Sequence, residues 1–310
     1  MSIAIAVHGG AGAADQENDH ARQAALGEAC SVGAARLREG GSALDAVEDA
    51  VCALEDMPLF NAGTGSVLTW DGEIEMDASI MGEGESFGAV ASLKNVRNPI
   101  RVARAVLAET DHWLLCGEGA LAFARVQGFD AWNPLVPTQR ERWEALRQKV
   151  LTAARGEARG DASGEKDPRL RWKKLLAYAG RLPETKASRG TVGAVALDAS
   201  GRTAAATSTG GMWLKLSGRV GDSALPGAGT LVGPGGASSA TGHGEAILRV
   251  QVARRTERLL RDFPAQEAAT RAIAEATEAE CECGVLAVDR RGEIGFAFNT
   301  MAMPVEVWRG

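Results

Sequence analysis

From residue 152 to 189 this chain offers almost nothing that packs, and then order returns within a single residue. The run ending at Pro168 is polar, charged and rich in glycine, the composition of a mobile linker. At Thr191 it gives way to Val192-Gly-Ala-Val-Ala-Leu-Asp198, followed by Thr203-Ala-Ala-Ala-Thr-Ser208 after a turn at Ala199-Ser-Gly201. Those two segments read as strands of a hairpin. Any fold for this chain must therefore pair strands lying on both sides of a long polar interruption, and it must place Gly190-Thr191 at the edge of order.

The rest of the pattern agrees with that constraint. Residues 2–7 run apolar, as a buried strand does, and end at His8-Gly-Gly-Ala-Gly12. A helix is expected over 19–38, closed by Gly40-Gly41, and a second begins at Ser42 with Asp45 in a capping-box position. Leu44, Val47, Val51 and Leu54 line one face of that second helix. Short strands are expected near 66–70, 73–79 and 87–94, and helices over 99–109, 117–127, 244–263 and 266–277. A short helix is expected at 169–180. Gly284–Asp289 and Glu293–Phe298 repeat the hairpin pattern. Hairpins alternating with blocks of helix predict packed sheets flanked by helices, with no solenoid repeat.

Composition excludes several classes of function. The chain has 310 residues, 45% of them hydrophobic, enough for a large core in one or two domains. A formal net charge of -6 argues against nucleic acid as a partner, because phosphate contacts need clustered Lys and Arg. The basic cluster from Arg169 to Lys174 has acidic neighbours and reads as a solvated loop. The N-terminal apolar run is too short for a signal peptide, and no stretch is long enough to span a membrane. Five cysteines without paired spacing point to reduced thiols and a cytoplasmic location; Cys281-Glu-Cys283 lacks companion ligands for a metal.

The chemistry narrows by elimination. There are only four histidines, no Gly-x-Ser-x-Gly elbow and no His-Glu-x-x-His pair. Gly117-Glu-Gly119 fits a loose dinucleotide fingerprint, but no well-placed acidic partner follows it. Threonine remains. Its hydroxyl is a weak nucleophile that needs a base. A free α-amino group, with a pKa of about 7.7–8.0, is such a base near neutrality. Thr191 would own that amine if the Gly190–Thr191 bond were cut, and Gly190 tolerates the strained backbone that the cut requires.

At these residues the chain resembles the plant-type L-asparaginase/isoaspartyl aminopeptidase family of threonine-type N-terminal-nucleophile hydrolases. The resemblance rests on Gly190-Thr-Val-Gly-Ala-Val-Ala-Leu-Asp198, Ala205-Ala-Thr-Ser-Thr-Gly-Gly-Met212 and Gly218-Arg-Val-Gly-Asp-Ser223. It extends through Val7–Gly12, Phe60-Asn-Ala-Gly-Thr-Gly65, Glu75-Met-Asp-Ala78, Asn98-Pro99, Gly117-Glu-Gly119, Ala240-Thr-Gly-His-Gly-Glu245 and Phe298-Asn-Thr300. Only 130–189 is a large region without it. The resemblance implies an α+β, four-layer αββα sandwich, one domain over 1–310. It implies autocleavage into a 1–190 α subunit and a 191–310 β subunit, assembled as a dimer of αβ heterodimers.

The same resemblance implies roles for particular residues. Thr191 is the nucleophile, Thr209 tunes it, and Asn61 supports its geometry. Thr241 and Gly242 form the oxyanion hole. Arg219 and Asp222 grip the α-carboxylate and α-ammonium of the substrate, and Gly244 lines the amino-group pocket. Backbone carbonyls of Leu54, Glu55, Met57, Phe60, Ala62 and Thr64 hold a structural sodium ion, with a hydrogen-bonded Gly-rich turn as the simpler alternative. The implied reaction releases L-aspartate from β-aspartyl dipeptides and L-asparagine. A glycosylasparaginase-like or strict L-asparaginase specificity, and an unprocessed, non-catalytic amino-acid-binding protein, stay open as alternatives. The family pattern is broken at Trp213-Leu214, where relatives carry Thr-Asn, and these residues are expected to shape specificity. It is broken again at Met81–Gly84, at Glu280-Cys-Glu-Cys-Gly284 and at Met301-Ala-Met-Pro304.

Overall fold

The computed structural model describes residues 2–13, 18–84, 86–158 (without the side chains of 154–158) and 190–310. The first half contributes β1 (Ala4–His8), α1 (Asp19–Arg38), α2 (Ala43–Glu55), β2 (Met76–Gly82), β3 (Ser86–Leu93), α3 (Pro99–Glu109), β4 (Leu114–Cys116), α4 (Gly117–Val126) and α5 (Pro137–Ala158). The second contributes β5 (Val192–Leu197), β6 (Thr203–Thr209), β7 (Thr230–Gly233), β8 (Gly236–Gly242), α6 (Gly244–Val250), α7 (Val252–Leu260), α8 (Ala265–Glu278), β9 (Cys283–Asp289), β10 (Ile294–Phe298) and β11 (Val305–Arg309).

These strands form two sheets, ordered β11-β1-β5-β6-β2-β3-β4 and β10-β9-β8-β7. All pairings are antiparallel except β3 with β4. The β5–β6 hairpin sits in the middle of the larger sheet, so the strand that starts just after Thr191 is paired on both edges. Strand alternation then sorts its side chains. Val192, Ala194 and Ala196 pack with Val47 and Val51 of α2, whereas Val195 and Leu197 pack with Ala237, Leu286 and Val288 of the smaller sheet. Helices α1, α2 and α3 contact the larger sheet and α7 and α8 the smaller one, while β5 and β6 face β8.

A polar seam crosses the contact between the sheets. His8 Nε2 bonds Ser239 Oγ at 2.8 Å, Ser239 Oγ bonds Thr207 Oγ1 at 2.8 Å, and Thr230 Oγ1 donates to Thr207 Oγ1 at 2.6 Å. Ser79 Oγ continues the seam to Thr230 Oγ1 at 2.8 Å. All five side chains are buried, and mutual hydrogen bonding is what makes their burial tolerable. Glu55, also fully buried, ties three elements together: its Oε1 accepts from Ser208 Oγ at 2.6 Å and from Ile100 N–H at 3.0 Å. Burial pushes its carboxyl up to about 8.

Local chemistry accounts for most boundaries. The Ser42–Asp45 capping box is present, with Asp45 N–H donating to Ser42 Oγ at 3.1 Å. The expected strand at 66–70 does not form. Its polar groups go elsewhere: Val67 N–H to Asn61 Oδ1, Trp70 N–H to the Lys215 carbonyl, and the Leu68 carbonyl to Leu214 N–H. The expected helix 244–263 is broken at Gln251, which is left-handed at φ 59°. That break lets Ala253 and Arg254, in the first turn of α7, donate to the carbonyls of Ala228 and Gly227 at 3.1 and 2.8 Å. Helix α5 covers residues that carried no clear pattern and runs into the expected linker; the linker beyond 158 and the expected 169–180 helix lie outside the described residues. Among the described residues no helix is long and apolar enough to cross a membrane, and no group of three His, Cys, Asp or Glu is placed to hold a metal ion.

Candidate active site

The register of β5 against β6 pairs Val192 with Ser208. Thr191 immediately precedes this ladder, and Thr209 ends β6 immediately after it. Both line one cavity of about 380 Å³, a size suited to a small molecule. Its walls also include Asn61, Gly190, Arg219, Asp222, Gly242 and Gly244. Eight of the nine residues expected at the reaction centre therefore converge. Thr241 does not line the cavity; it is fully buried beside it.

The Thr241 hydroxyl is nonetheless set up as a donor. Its Oγ1 accepts from Ala11 N–H at 3.1 Å, so its own hydrogen is left for another acceptor. Next to it, Gly242 has φ +142°, and a Cβ there would come within 2.5 Å of the Glu282 carbonyl. A second close approach lies just before Thr191. Gly10, at φ +98°, and Gly190 stack backbone on backbone; a Cβ on Gly190 would lie 2.5 Å from Gly10 Cα, and one on Gly10 would lie 2.7 Å from Gly190 N. The His8-Gly-Gly turn thus exists to let the chain at 190 pass.

In the same cavity wall as Thr191, Asn61 stitches its loop to the end of β6. Its Nδ2 donates to the Gly211 carbonyl at 2.6 Å, its Oδ1 accepts from Val67 N–H at 2.9 Å, and its carbonyl accepts from Gly210 N–H at 2.8 Å. Thr209 Oγ1 accepts from Gly211 N–H at 3.0 Å. Among the described residues the Thr191 hydroxyl has no hydrogen-bond partner. His8 lies beside the Thr191 backbone, but burial drives its imidazole down to about 3, only partly opposed by the Thr191 backbone, so it stays neutral.

Opposite charges occupy the deep end. Asp222 is 4% exposed, and its Oδ2 has no hydrogen-bond partner. Burial raises this carboxyl to about 7, with the nearby Arg219 charge pulling the other way. An orphaned carboxylate oxygen facing a cavity is the mark of a site that awaits a cation. Arg219 presents its Nε and Nη2 to Glu245 at 2.9 and 2.8 Å. The Gly244 Cα lies against both: a Cβ there would be 2.6 Å from Arg219 Nη2 and 3.0 Å from Asp222 Oδ1.

The 54–64 loop is close by. The carbonyls of Leu54, Glu55 and Met57 accept from Met57, Thr64 and Phe60 N–H groups at 3.2, 2.7 and 3.4 Å. Among the described residues the carbonyls of Phe60, Ala62 and Thr64 accept none, and Phe60 and Ala62 are fully buried.

One expectation is corrected. Trp213 and Leu214 do not touch the cavity; both are buried in the core under the larger sheet, and the Arg142 guanidinium lies 5.3 Å from the Trp213 ring. Leu214, at φ 59°, turns the chain inward there. The rest of the cavity lining is Ala11, Gly12, Gly211, Met212, His243, Ala246, Glu280, Glu282 and Thr300, of which His243, Glu280 and Glu282 are exposed and so stand at its mouth. Glu280 and Glu282 stand in the segment where the family's Gly-rich pattern is broken, and that departure was the available signal for them.

A threonine just before a central strand, beside a cavity with an unpartnered buried carboxylate, makes a site fitted to a small molecule that carries a positive charge. The whole chain, residues 1–310, matches the Asparaginase family model, and the chain belongs to that family. It is 45% identical over 306 residues to the plant-type L-asparaginase of Pyrococcus horikoshii, covering 97% of this chain and 94% of that protein. The plant-type L-asparaginase of Pyrococcus furiosus is 45% identical over the same span. The isoaspartyl peptidase/L-asparaginase of Xenopus laevis is 44% identical over 256 residues, 82% of this chain and 74% of that protein.

Proposed function

We propose that this chain is a self-processing amidohydrolase that releases L-aspartate from L-asparagine and β-aspartyl dipeptides. The observation that carries this reading is the cavity itself. At its inner end a buried, unpartnered Asp222 oxygen lies beside Arg219, and Thr191 begins the adjacent strand. An α-ammonium suits Asp222, and an α-carboxylate suits the end of the Arg219 guanidinium that Glu245 leaves open.

In this reading the chain is a four-layer αββα sandwich of the N-terminal-nucleophile type, cut before Thr191 into subunits 1–190 and 191–310. Two such pairs assemble as a dimer, and the enzyme is cytoplasmic. During turnover the neutral Thr191 amine accepts the proton of its own hydroxyl, helped by Thr209. The Oγ1 atom attacks the side-chain carbonyl of the substrate, and the charge that develops on the carbonyl oxygen is met by the Thr241 hydroxyl and Gly242. The proton passes to the departing nitrogen as the C–N bond breaks, leaving an acyl-enzyme. Water then attacks the acyl carbon, and aspartate leaves with Thr191 restored. Asn61 holds the Gly210–Gly211 turn against which Thr209 is set.

A sodium ion fits the 54–64 loop, because buried carbonyls without donors suit a hard monovalent cation. Its contribution is structural: it would fix the loop that carries Asn61. The test of the whole reading is release of aspartate from L-asparagine and β-aspartyl-leucine by the purified protein and by Thr191→Ala. The variant is expected to stay a single chain and to lose activity by about 10⁴-fold or more. Substantial turnover by Thr191→Ala would remove the mechanism.

A further inference from the structure

The charges of the cavity are distributed unevenly between its depth and its mouth. In depth, Arg219 and Asp222 form a matched pair for the two charges of an aspartyl head. At the mouth, the charged walls are Glu280 and Glu282, both exposed. Among the described residues neither has an ion-pair partner, and no Lys or Arg joins them in lining the mouth. The nearest base along that segment, Arg249, spends Nη2 on the Ala279 carbonyl at 2.6 Å and does not line the cavity.

The backbone from which the two carboxylates project is fixed. The Glu282 carbonyl accepts from His243 N–H at 3.0 Å, and Cys283 pairs with Gly242 across β8–β9. The Glu280 backbone is left-handed at φ 53°, and its N–H donates to the Thr277 carbonyl at 3.0 Å. The segment 280–283 is therefore joined to the Gly242–His243 turn that flanks the reaction centre. Because the buried pair takes the aspartyl head inward, the group that departs from the scissile amide must face outward, toward these carboxylates.

We propose that Glu280 and Glu282 are specificity-determining residues that select, among leaving amino acids, for cationic or neutral side chains and against acidic ones. This rests on the reading of the site as a β-aspartyl amidohydrolase and names its leaving-group class. A β-aspartyl dipeptide ending in lysine brings an ammonium to the mouth; one ending in glutamate brings a second carboxylate; L-asparagine brings only ammonia. Coulomb interaction between unit charges near 4 Å is several-fold stronger near a protein surface than in open water. Exposed carboxylates sit toward the weaker end and are screened by salt.

The experiment compares kcat/KM for L-asparagine, β-aspartyl-lysine, β-aspartyl-leucine and β-aspartyl-glutamate at a fixed pH of 8. Sodium is held constant while ionic strength is varied. The wild type is expected to favour the lysine over the glutamate substrate by about tenfold at low salt, with leucine between them. That ratio is expected to fall to about twofold at 0.5 M salt, and to about twofold at low salt in the double variant Glu280→Gln/Glu282→Gln. Equal rates for the lysine and glutamate substrates in the wild type, or a tenfold ratio that survives in the double variant, would overturn the assignment. Failure to hydrolyse any of the four would instead strike the parent reading, so the two failures are separable.

Discussion

The inner and outer ends of one cavity are built in different ways. The inner end hangs on strand register and backbone contact. Thr191 and Thr209 flank the paired ends of β5 and β6, Gly10 passes Gly190 with no space for a side chain, and Asp222 is buried. The outer end is made of exposed side chains on short connections: His243, Glu280 and Glu282. Chemistry that needs sub-ångström placement sits where the backbone enforces it, and selectivity sits where a side chain can change without disturbing the sheets.

The comparison breaks first at the oxyanion side. Thr241→Val keeps the shape of a buried residue and removes only the hydroxyl, so a drop in kcat of about 10² to 10³ is expected with every substrate alike. Steady-state kinetics check it; a drop confined to one leaving group would mean that inner and outer ends are not separate.

Asp222→Asn is expected to lower kcat/KM by about 10²-fold, mostly through KM, because a charged partner for the substrate ammonium is lost. The wild-type pH profile sharpens the point. Burial raises the Asp222 carboxyl to about 7, so in the free enzyme it becomes a carboxylate only as pH climbs toward and past neutrality. KM for L-asparagine is expected to fall as pH rises from 5.5 to 7.5, while the KM of Asp222→Asn stays flat over that range. The same shift has a cost in stability. Between about pH 4 and 7 the unfolded chain has released a proton that the folded chain keeps, so this group's contribution to stability is present at low pH and lost as pH rises through 7.

Replacing sodium by choline at constant ionic strength is expected to lower the melting temperature by about 5 °C, since a ligand bound only to the folded state contributes ~2–3 kcal/mol when near-saturating. Calorimetry reads the shift. Activity is expected to fall equally for all substrates, because the loop supports Asn61 and not the mouth. The smallest effect is expected at Trp213→Phe. Stability should fall by ~1 kcal/mol from lost packing and cation–π contact, with selectivity among the leaving groups changed less than about twofold. A large change in selectivity there would restore the reading that the sequence alone favoured.

That last case shows where the sequence was legible and where it was not. The first helix, the Ser42 cap, both long hairpins and the convergence of Thr191, Thr209, Arg219, Asp222 and Gly244 could all be read from periodicity, capping chemistry and motif. The misreadings share a cause. At 66–70 a strand-like apolar run is spent on bonds to Asn61, Leu214 and Lys215, contacts that no local pattern encodes. At Gln251 the helix breaks to satisfy carbonyls of Gly227 and Ala228, more than twenty residues upstream. Trp213-Leu214 drew attention because it departs from the Thr-Asn of the family pattern, but both residues are buried in the core, with Leu214 left-handed at φ 59°.

Everything at the inner end depends on Thr191 carrying a free amine. Active protein, denatured and separated, should yield a smaller fragment whose N-terminal sequencing opens Thr-Val-Gly-Ala-Val. Full activity from protein that remains one unbroken polypeptide through Gly190 and Thr191 would contradict it.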